Sequence, residues 1–289
     1  MINIINTFED FKKCFANNLD LSTEEKIKLW EECYISKYPE LEHKCKSDYE
    51  DNGYHWRDIA ENMVFNRTKD DFSKMIIAYE NILEIMTGIN EKAAPIFNVD
   101  LDINIVLYCG LLNSAGWVDE YNGKRAILYG IDKIAELGWH TMDKLKPLLS
   151  HELCHVVHFE LRGEDTLPSD IEENKYNEGI WRIYTEGFAQ FFQQKLLNKE
   201  ADSRGIEWEG ICGLNEDRLK KLYLEALNDS EKGTNDFFGD WFQVLGLNDT
   251  GYFLGKQMIK RLKNNYNFVD IAKLSFPSIE KEVMDYLES

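Results

Sequence analysis

The chain has 289 residues, of which 44% are hydrophobic and 13% aromatic, and this composition is typical of a globular protein rather than a disordered one. Its 52 acidic residues outnumber its 33 lysines and arginines, and the resulting net charge of −19 argues against nucleic acid and anionic membrane surfaces as partners. Because the sequence shows neither a signal peptide nor an apolar run long enough to cross a membrane, we expect a soluble, cytoplasmic protein whose six cysteines are reduced.

Residues 1–95 are predicted to form a helical N-terminal region. Ser22 and Glu25 have the spacing of a capping box and precede a segment with helical periodicity, which Pro39 ends. A second amphipathic helix is expected over 70–86, with Gly88 closing it.

After residue 95 the sequence changes from helical periodicity to extended, β-branched runs. A continuous, β-branched run at 103–109 is typical of a buried strand, and Asn122-Gly123 lies between two extended runs as in a two-residue hairpin. The sequence therefore predicts a small twisted sheet with strands near 103–109, 116–121 and 124–130.

Helices follow the sheet. One is predicted from about Asp143 or Pro147, a second from Glu178 to about Asn198, and several more over 215–289. The predicted fold class is α+β and mostly helical, with a helical region 1–95, a core 96–200 and a helical C-terminal subdomain 201–289.

The most informative segment is SHELCHVVHFE, residues 150–160, which holds three of the six histidines. His151-Glu152-Leu153-Cys154-His155 is an H-E-x-x-H motif. On a helix, residues four apart lie on one face, so two imidazoles can converge on one metal ion with Glu152 beside them as a general base. Two hydrogen-bonded histidines in an ordinary helix are the alternative interpretation.

A catalytic zinc site needs a third protein ligand and an open fourth position. His158 shares the face of His151 but lies about 10 Å along the helix from it, too far for one ion, so lining the cleft or packing in the core suits it better. Glu186 is the stronger candidate because it lies within a helix of bulky apolar residues, where a carboxylate needs a partner. A salt bridge from Glu186 to Arg182 is the structural alternative, and Glu178 is a weaker rival as ligand.

H-E-L-C-H followed by a helix carrying T-E-G-F-A resembles the gluzincin zinc metallopeptidases, the thermolysin-like group. Residues from about 100 onward are also similar to a bacterial family of predicted zinc-dependent proteases. The resemblance implies a zincin-like fold, one zinc ion held by His151, His155 and Glu186, Glu152 as general base, and a peptide or protein substrate laid along an edge strand at 124–130.

Gluzincins commonly place an aspartate four residues after the ligand glutamate to orient a histidine, whereas this chain has Gln190. Such enzymes also stabilise the oxyanion with a Tyr or His. Tyr252, between glycines in T-G-Y-F-L-G, is the candidate here, ahead of Tyr184 and Tyr266. We expect Arg125 or Arg182 to be available to hold a substrate carboxylate.

Two other functions are compatible with the sequence. One is a catalytically silent zinc-binding interaction or regulatory protein, whose site would be closed by a fourth ligand such as Cys154. The other is a different zinc amidohydrolase of the deformylase kind, although those enzymes have Asp where this chain has Cys154. Endopeptidase and aminopeptidase action are not distinguished by the sequence.

Overall fold

The computed structural model describes residues 2–97, 99, 101–163, 167–197, 204–239 and 242–289. The chain forms two compact units, Met1–Glu152 and Leu153–Ser289, and the boundary between them falls inside a helix. Helices predominate and a small sheet accompanies them, which confirms the predicted α+β class. The three-part division at residues 95 and 200 stays a prediction.

The sheet of the first unit has four strands in the order β1-β2-β4-β3. They are β1 (Ile2–Asn6), β2 (Ile103–Tyr108), β3 (Trp117–Tyr121) and β4 (Lys124–Gly130). β2 is parallel to both neighbours and buried along its whole length, as its apolar run predicted. β1 was not predicted, because five residues directly before a helix give little periodic signal.

The Asn-Gly hairpin between β3 and β4 is confirmed. Asn122 and Gly123 have φ values of 54° and 67°, and the flanking strands pair antiparallel from Tyr121 and Lys124 outward. The prediction that 124–130 is the edge strand is wrong: β4 lies between β2 and β3, and β3 is the outer strand. A hairpin sequence shows that two strands pair with each other, but not which of the two also pairs with the rest of the sheet.

The helices of the first unit cover an aromatic core. They are α1 (Phe8–Phe15), α2 (Thr23–Leu29), α3 (Pro39–Glu50), α4 (Trp56–Ile59), α5 (Thr68–Phe97), α6 (Ile131–Glu136) and the beginning of α7 (Met142–Arg162). The capping box of Ser22 and Glu25 is present at the start of α2, as predicted. α5 continues past Gly88 to Phe97, since one glycine inside a helix costs only about 1 kcal/mol.

Cys14 and Cys33 form a disulfide, so the prediction of reduced cysteines is wrong for this pair. Cys14 lies on α1, and Cys33 lies in a π-helical turn that extends α2 over Trp30–Tyr34. Packing of these segments brings the two Cα atoms to 6.2 Å, within the range that a disulfide spans. Their spacing of 19 residues carried no signal of this pairing.

The second unit is helical and is organised around α8. Its helices are α8 (Lys175–Leu197), α9 (Ile206–Leu214), α10 (Glu216–Leu227), α11 (Thr250–Leu262), α12 (Phe268–Ala272) and α13 (Phe276–Leu287), preceded by the C-terminal part of α7. α8 packs against α10, α11 and α13. The predicted helix from Glu178 is confirmed, although its predicted end at Asn198 lies outside the described residues.

α8 and α11 approach so closely that their backbones touch. A Cβ atom on Gly187 would lie 2.4 Å from the carbonyl carbon and oxygen of Gly255, and one on Gly255 would lie 2.4 Å from the carbonyl oxygen of Ile183. Only glycine fits at either position, because the atoms it would meet are backbone and cannot move aside. Among the described helices, none is both long and apolar enough to cross a membrane.

Substitution of Gly187 by alanine is expected to destabilise the protein by about 1–3 kcal/mol or more, because the added methyl group forces α8 and α11 apart. Urea denaturation of Gly187→Ala beside wild type measures the change. Gly210→Ala is the matched control, since that glycine lies in helix α9 with nothing within 4 Å of a new Cβ. There the free energy of unfolding should stay equal or rise by about 0.5–1 kcal/mol. Equal stabilities for wild type and Gly187→Ala would contradict the backbone contact between α8 and α11.

Candidate metal centre

Helix α7 carries the H-E-x-x-H motif. Its buried face contains Leu149, Leu153 and Val156, each at most 1% exposed, as the apolar pattern predicted. His151 and His155 lie on the half-buried side of the same helix, one turn apart. The helix is therefore fixed by its apolar face and presents both imidazoles on one edge.

The ligand atoms of His151, His155 and Glu186 lie within 4.8 Å of one another, and all three side chains are half-buried. His155 Nε2 and Glu186 Oε2 lie 3.3 Å apart. In the part of the chain that the structure describes, no other group of three His, Cys, Asp or Glu side chains converges in this way. Neither Cys154 nor His158 belongs to the group.

The spacing fits a tetrahedral metal ion. Zinc–nitrogen and zinc–oxygen bonds of about 2.0–2.1 Å place neighbouring ligand atoms about 3.3 Å apart, which is the distance from His155 to Glu186. Two imidazoles and one carboxylate are also the donor types that zinc accepts in catalytic sites. These residues can hold one divalent metal ion, and a three-ligand set leaves a coordination position open.

Glu152, next to His151, is buried at 7% exposure. Its side chain lies against Gly116, the residue before β3: a Cβ added to Gly116 would be 2.9 Å from Glu152 Cγ and 3.2 Å from its Oε1. A larger residue at position 116 would push the carboxylate aside. Sequence reasoning missed Gly116, for which the only available signal was a glycine at the start of a predicted strand.

The loop that carries Gly116 is held by a buried carboxylate. Asp132, the second residue of α6, accepts hydrogen bonds from the backbone N–H groups of Gly110 (3.1 Å) and Leu112 (2.9 Å). Burial raises the pKa of Asp132, and these amide donors partly offset that effect. Gly130 packs directly on the carbonyl oxygen of Ser114 and leaves no room for a side chain.

His158 belongs to the core of the second unit. Its Nε2 lies 3.0 Å from the Tyr184 hydroxyl, and its ring stacks on Phe188 with centroids 4.3 Å apart. Burial, with a smaller effect from the nearby His155 and Arg162, lowers the pKa of His158 to about 3, so the imidazole is neutral at physiological pH. Of the two roles expected for His158, the structure supports core packing.

Tyr252 is the predicted tyrosine that lies near the metal-binding group. The backbone contact of α8 and α11 brings its helix against Gly187, beside Glu186. Burial raises the pKa of Tyr252 well above its usual range, and the negative charge of Glu186 adds to the effect. The phenol therefore stays protonated and can donate a hydrogen bond.

The other tyrosine candidates have partners elsewhere. The Tyr184 hydroxyl donates to the carbonyl oxygen of Ile271 at 2.5 Å, and the Tyr266 hydroxyl donates to Glu282 at 3.3 Å. Glu178, the rival ligand, pairs with Lys175 at the exposed beginning of α8.

The proposed salt bridge from Glu186 to Arg182 is not what the structure contains. The guanidinium of Arg182 donates to Asn235 Oδ1 at 3.2 Å and lies 4.3 Å from the centre of the Phe238 ring. Gln190 is buried one turn beyond Glu186, and its orienting role stays a prediction.

No protein-family model, curated protein or solved structure matches this chain. The function must therefore be inferred from the chain's own residues.

The neutral state of His158 predicts a specific pH dependence of stability. The unfolded chain binds a proton at His158 near pH 6.5, whereas the folded protein resists protonation down to about pH 3, so stability falls as the pH drops through this window. Relative to His158→Gln, the metal-free wild type should lose about 2 kcal/mol of unfolding free energy between pH 7.5 and pH 5. Denaturant titrations of both proteins in a chelator measure this difference. Parallel pH profiles would contradict the buried neutral histidine.

Proposed function

We propose that the protein is a zinc-dependent metallopeptidase of the gluzincin type. The observation that carries the proposal is the convergence of His151, His155 and Glu186, which are separated by up to 35 positions in sequence, to within 4.8 Å. The spacing of H-E-x-x-H alone brings two histidines together, but it does not bring a glutamate from another helix to the same point.

A zinc ion held by these three side chains would supply Lewis-acid polarisation of the substrate carbonyl and a lowered pKa of a water molecule. The chain's own residues supply the remainder. A Glu152 carboxylate oxygen accepts a proton from the attacking water and returns it to the leaving amine nitrogen, so no net proton is consumed in breaking the C–N bond. The Tyr252 phenol is suited to donate to the carbonyl oxygen as negative charge develops there.

The sheet offers a place for an extended substrate. β3 is an outer strand, and its first residue follows Gly116, against which Glu152 packs. In the middle of β3, Asp119 pairs with the ammonium group of Lys44 on α3 at 2.6 Å. A peptide added to β3 by backbone hydrogen bonds would therefore run from the strand's start, beside Glu152.

Two features favour a catalytic over a purely structural site. Structural zinc sites are usually closed by four protein ligands, and the group found among the described residues has three. Glu152 is not one of them, yet it is buried and directly follows His151 along α7, and a purely structural site has no use for its carboxylate. The deformylase-like alternative uses the same ligands and base, and is separated from peptidase action by substrate tests.

Glu152→Gln is expected to retain zinc and lose at least about 10²–10⁴-fold in peptide cleavage, because the amide has the size of the carboxylate but cannot accept the proton. Zinc content is measured by plasma mass spectrometry. Cleavage is measured by mass-spectrometric analysis of a peptide library digested by zinc-loaded wild type and variant. Formyl-methionyl peptides in the same library detect deformylase action.

Cleavage by the variant at the wild-type rate would exclude Glu152 as the base. Cleavage by neither protein, with one zinc bound per chain, would favour the catalytically silent zinc-binding protein.

Tyr252→Phe is expected to lower kcat by about 10²–10³-fold with little change in KM, since the ring is kept and only a donor to the transition state is lost. Steady-state kinetics on the best library peptide provide the measurement. Tyr266→Phe is the control, because its hydroxyl pairs with Glu282 away from the site and its removal should leave kcat unchanged. Equal kcat values for wild type and Tyr252→Phe would assign the oxyanion contact to another group.

A further inference from the structure

Arg182 differs in its contacts from several other arginines of this acidic chain. Arg57, Arg67 and Arg204 each pair with at least one carboxylate. Among the described residues, the contacts of Arg182 are instead a neutral amide, Asn235, and an aromatic ring. With 52 acidic residues in the chain, a half-exposed guanidinium without a carboxylate partner is a cation available to a ligand.

Position along α8 relates this cation to the metal-binding group. Arg182 precedes Glu186 by four residues, so the two side chains leave the helix on the same face with their Cβ atoms about 5–6 Å apart. Glu186 points to His155. The guanidinium of Arg182 therefore belongs to the surroundings of the proposed scissile bond.

Aromatic contacts hold the guanidinium in place. Arg182 lies over the Phe238 ring, and that ring meets Tyr252 edge to face with centroids 5.4 Å apart. A Cβ on Gly251 would be 2.5 Å from Phe238, so this ring is packed directly on the backbone of α11. The positive charges of Arg204 and Arg182 lower the pKa of Tyr252, against the larger effect of burial, which raises it.

We propose that Arg182 binds the C-terminal carboxylate of a peptide substrate, so that the enzyme acts as a carboxypeptidase or dipeptidyl carboxypeptidase. The inference rests on the proposed peptidase function. A planar guanidinium forms two parallel hydrogen bonds to a carboxylate. The two contacts of Arg182, with Asn235 and with the Phe238 ring, orient the guanidinium without neutralising its charge. About one turn of α8 separates Arg182 from Glu186, a rise of about 5.4 Å along the helix axis. An extended residue spans about 3.3–3.6 Å, so a carboxylate one or two residues beyond the scissile carbonyl matches that separation.

Aminopeptidase action, the removal of N-terminal residues, has less support. An aminopeptidase needs carboxylates to bind a free amine, and Asp249, which directly precedes α11 and lies three residues before Tyr252, is a candidate for that role. That carboxylate is engaged by Arg204 Nε at 2.8 Å and by the backbone N–H of Gly239 at 2.9 Å. The Asp249 carboxylate therefore stabilises the segment that precedes α11.

The test compares one peptide with a free C-terminal carboxylate and the same peptide with a C-terminal amide. Binding to zinc-loaded Glu152→Gln is measured by fluorescence anisotropy, which does not depend on turnover. We expect the free acid to bind about 10- to 100-fold more tightly than the amide, and Glu152→Gln/Arg182→Gln to bind the two peptides equally. Arg182→Lys, which keeps a charge but not the fork, should recover part of the preference.

Arg261→Gln in the same background is the matched control, because Arg261 lies at the exposed end of α11 and donates to the carbonyl oxygen of Asp285. It should leave the preference for the free acid intact. Equal binding of acid and amide to Glu152→Gln, or an equal loss of both in the Arg182→Gln variant, would overturn the assignment.

Cleavage by wild type separates the two proposals. Faster removal of one or two residues from the free acid than from the amide supports both. Cleavage of acid and amide at equal rates overturns the role of Arg182 and leaves the peptidase intact. No cleavage of any library peptide by the zinc-loaded enzyme overturns the peptidase and, with it, the inference.

Discussion

At Gly187 and Gly255 the backbones of α8 and α11 touch, and the groups proposed for catalysis in the second unit depend on that contact. Glu186 is adjacent to Gly187 along α8, and Tyr252 lies one turn before Gly255 along α11. A side chain at either glycine would separate the helices by the width of a methyl group or more, and the distance between carboxylate and phenol would grow with it. Phe238 contacts Tyr252 on one side and Arg182 on the other. Sites of this kind need positioning to within about 0.5 Å, and a contact between two backbones provides it better than flexible side chains do.

In the first unit, Glu152 is positioned by different means. Glu152 lies at the end of a chain of contacts that begins at Asp132, passes through the loop after β2, and ends at Gly116. The carboxylate of Asp132 ties two backbone amides of this loop, and the loop places a residue without a side chain against Glu152. Glu152, the proposed general base, is thus oriented by backbone on one side and by the core face of α7 on the other.

Local patterns in the sequence predicted much of this structure. The capping box at Ser22, the hairpin at Asn122-Gly123 and the strand at 103–109 were correct because each depends on neighbouring residues only. The metal-binding group was predictable because H-E-x-x-H fixes two ligands on one helix turn, and the buried position of Glu186 indicated a carboxylate in need of a partner.

The errors concern relations between distant segments. The order of β3 and β4, the pairing of Cys14 with Cys33 and the partners of Arg182 are all decided by packing, and none has a local pattern. Gly116 and Asp132 were missed for the same reason, because a single glycine or aspartate has no meaning until its neighbours in space are known.

The disulfide between Cys14 and Cys33 in the first unit can be reduced and re-formed by thiol–disulfide exchange. It closes a short loop, with a sequence separation of 19, and by restricting the unfolded chain such a link contributes about 3 kcal/mol to stability. Reduction removes that contribution from the unit that holds Glu152, and it leaves the residues proposed to bind metal and substrate unaltered. The redox potential of the surroundings is therefore coupled to the folded population of the protein. A change of compartment alters the folded fraction and leaves the proposed site of each folded molecule unchanged.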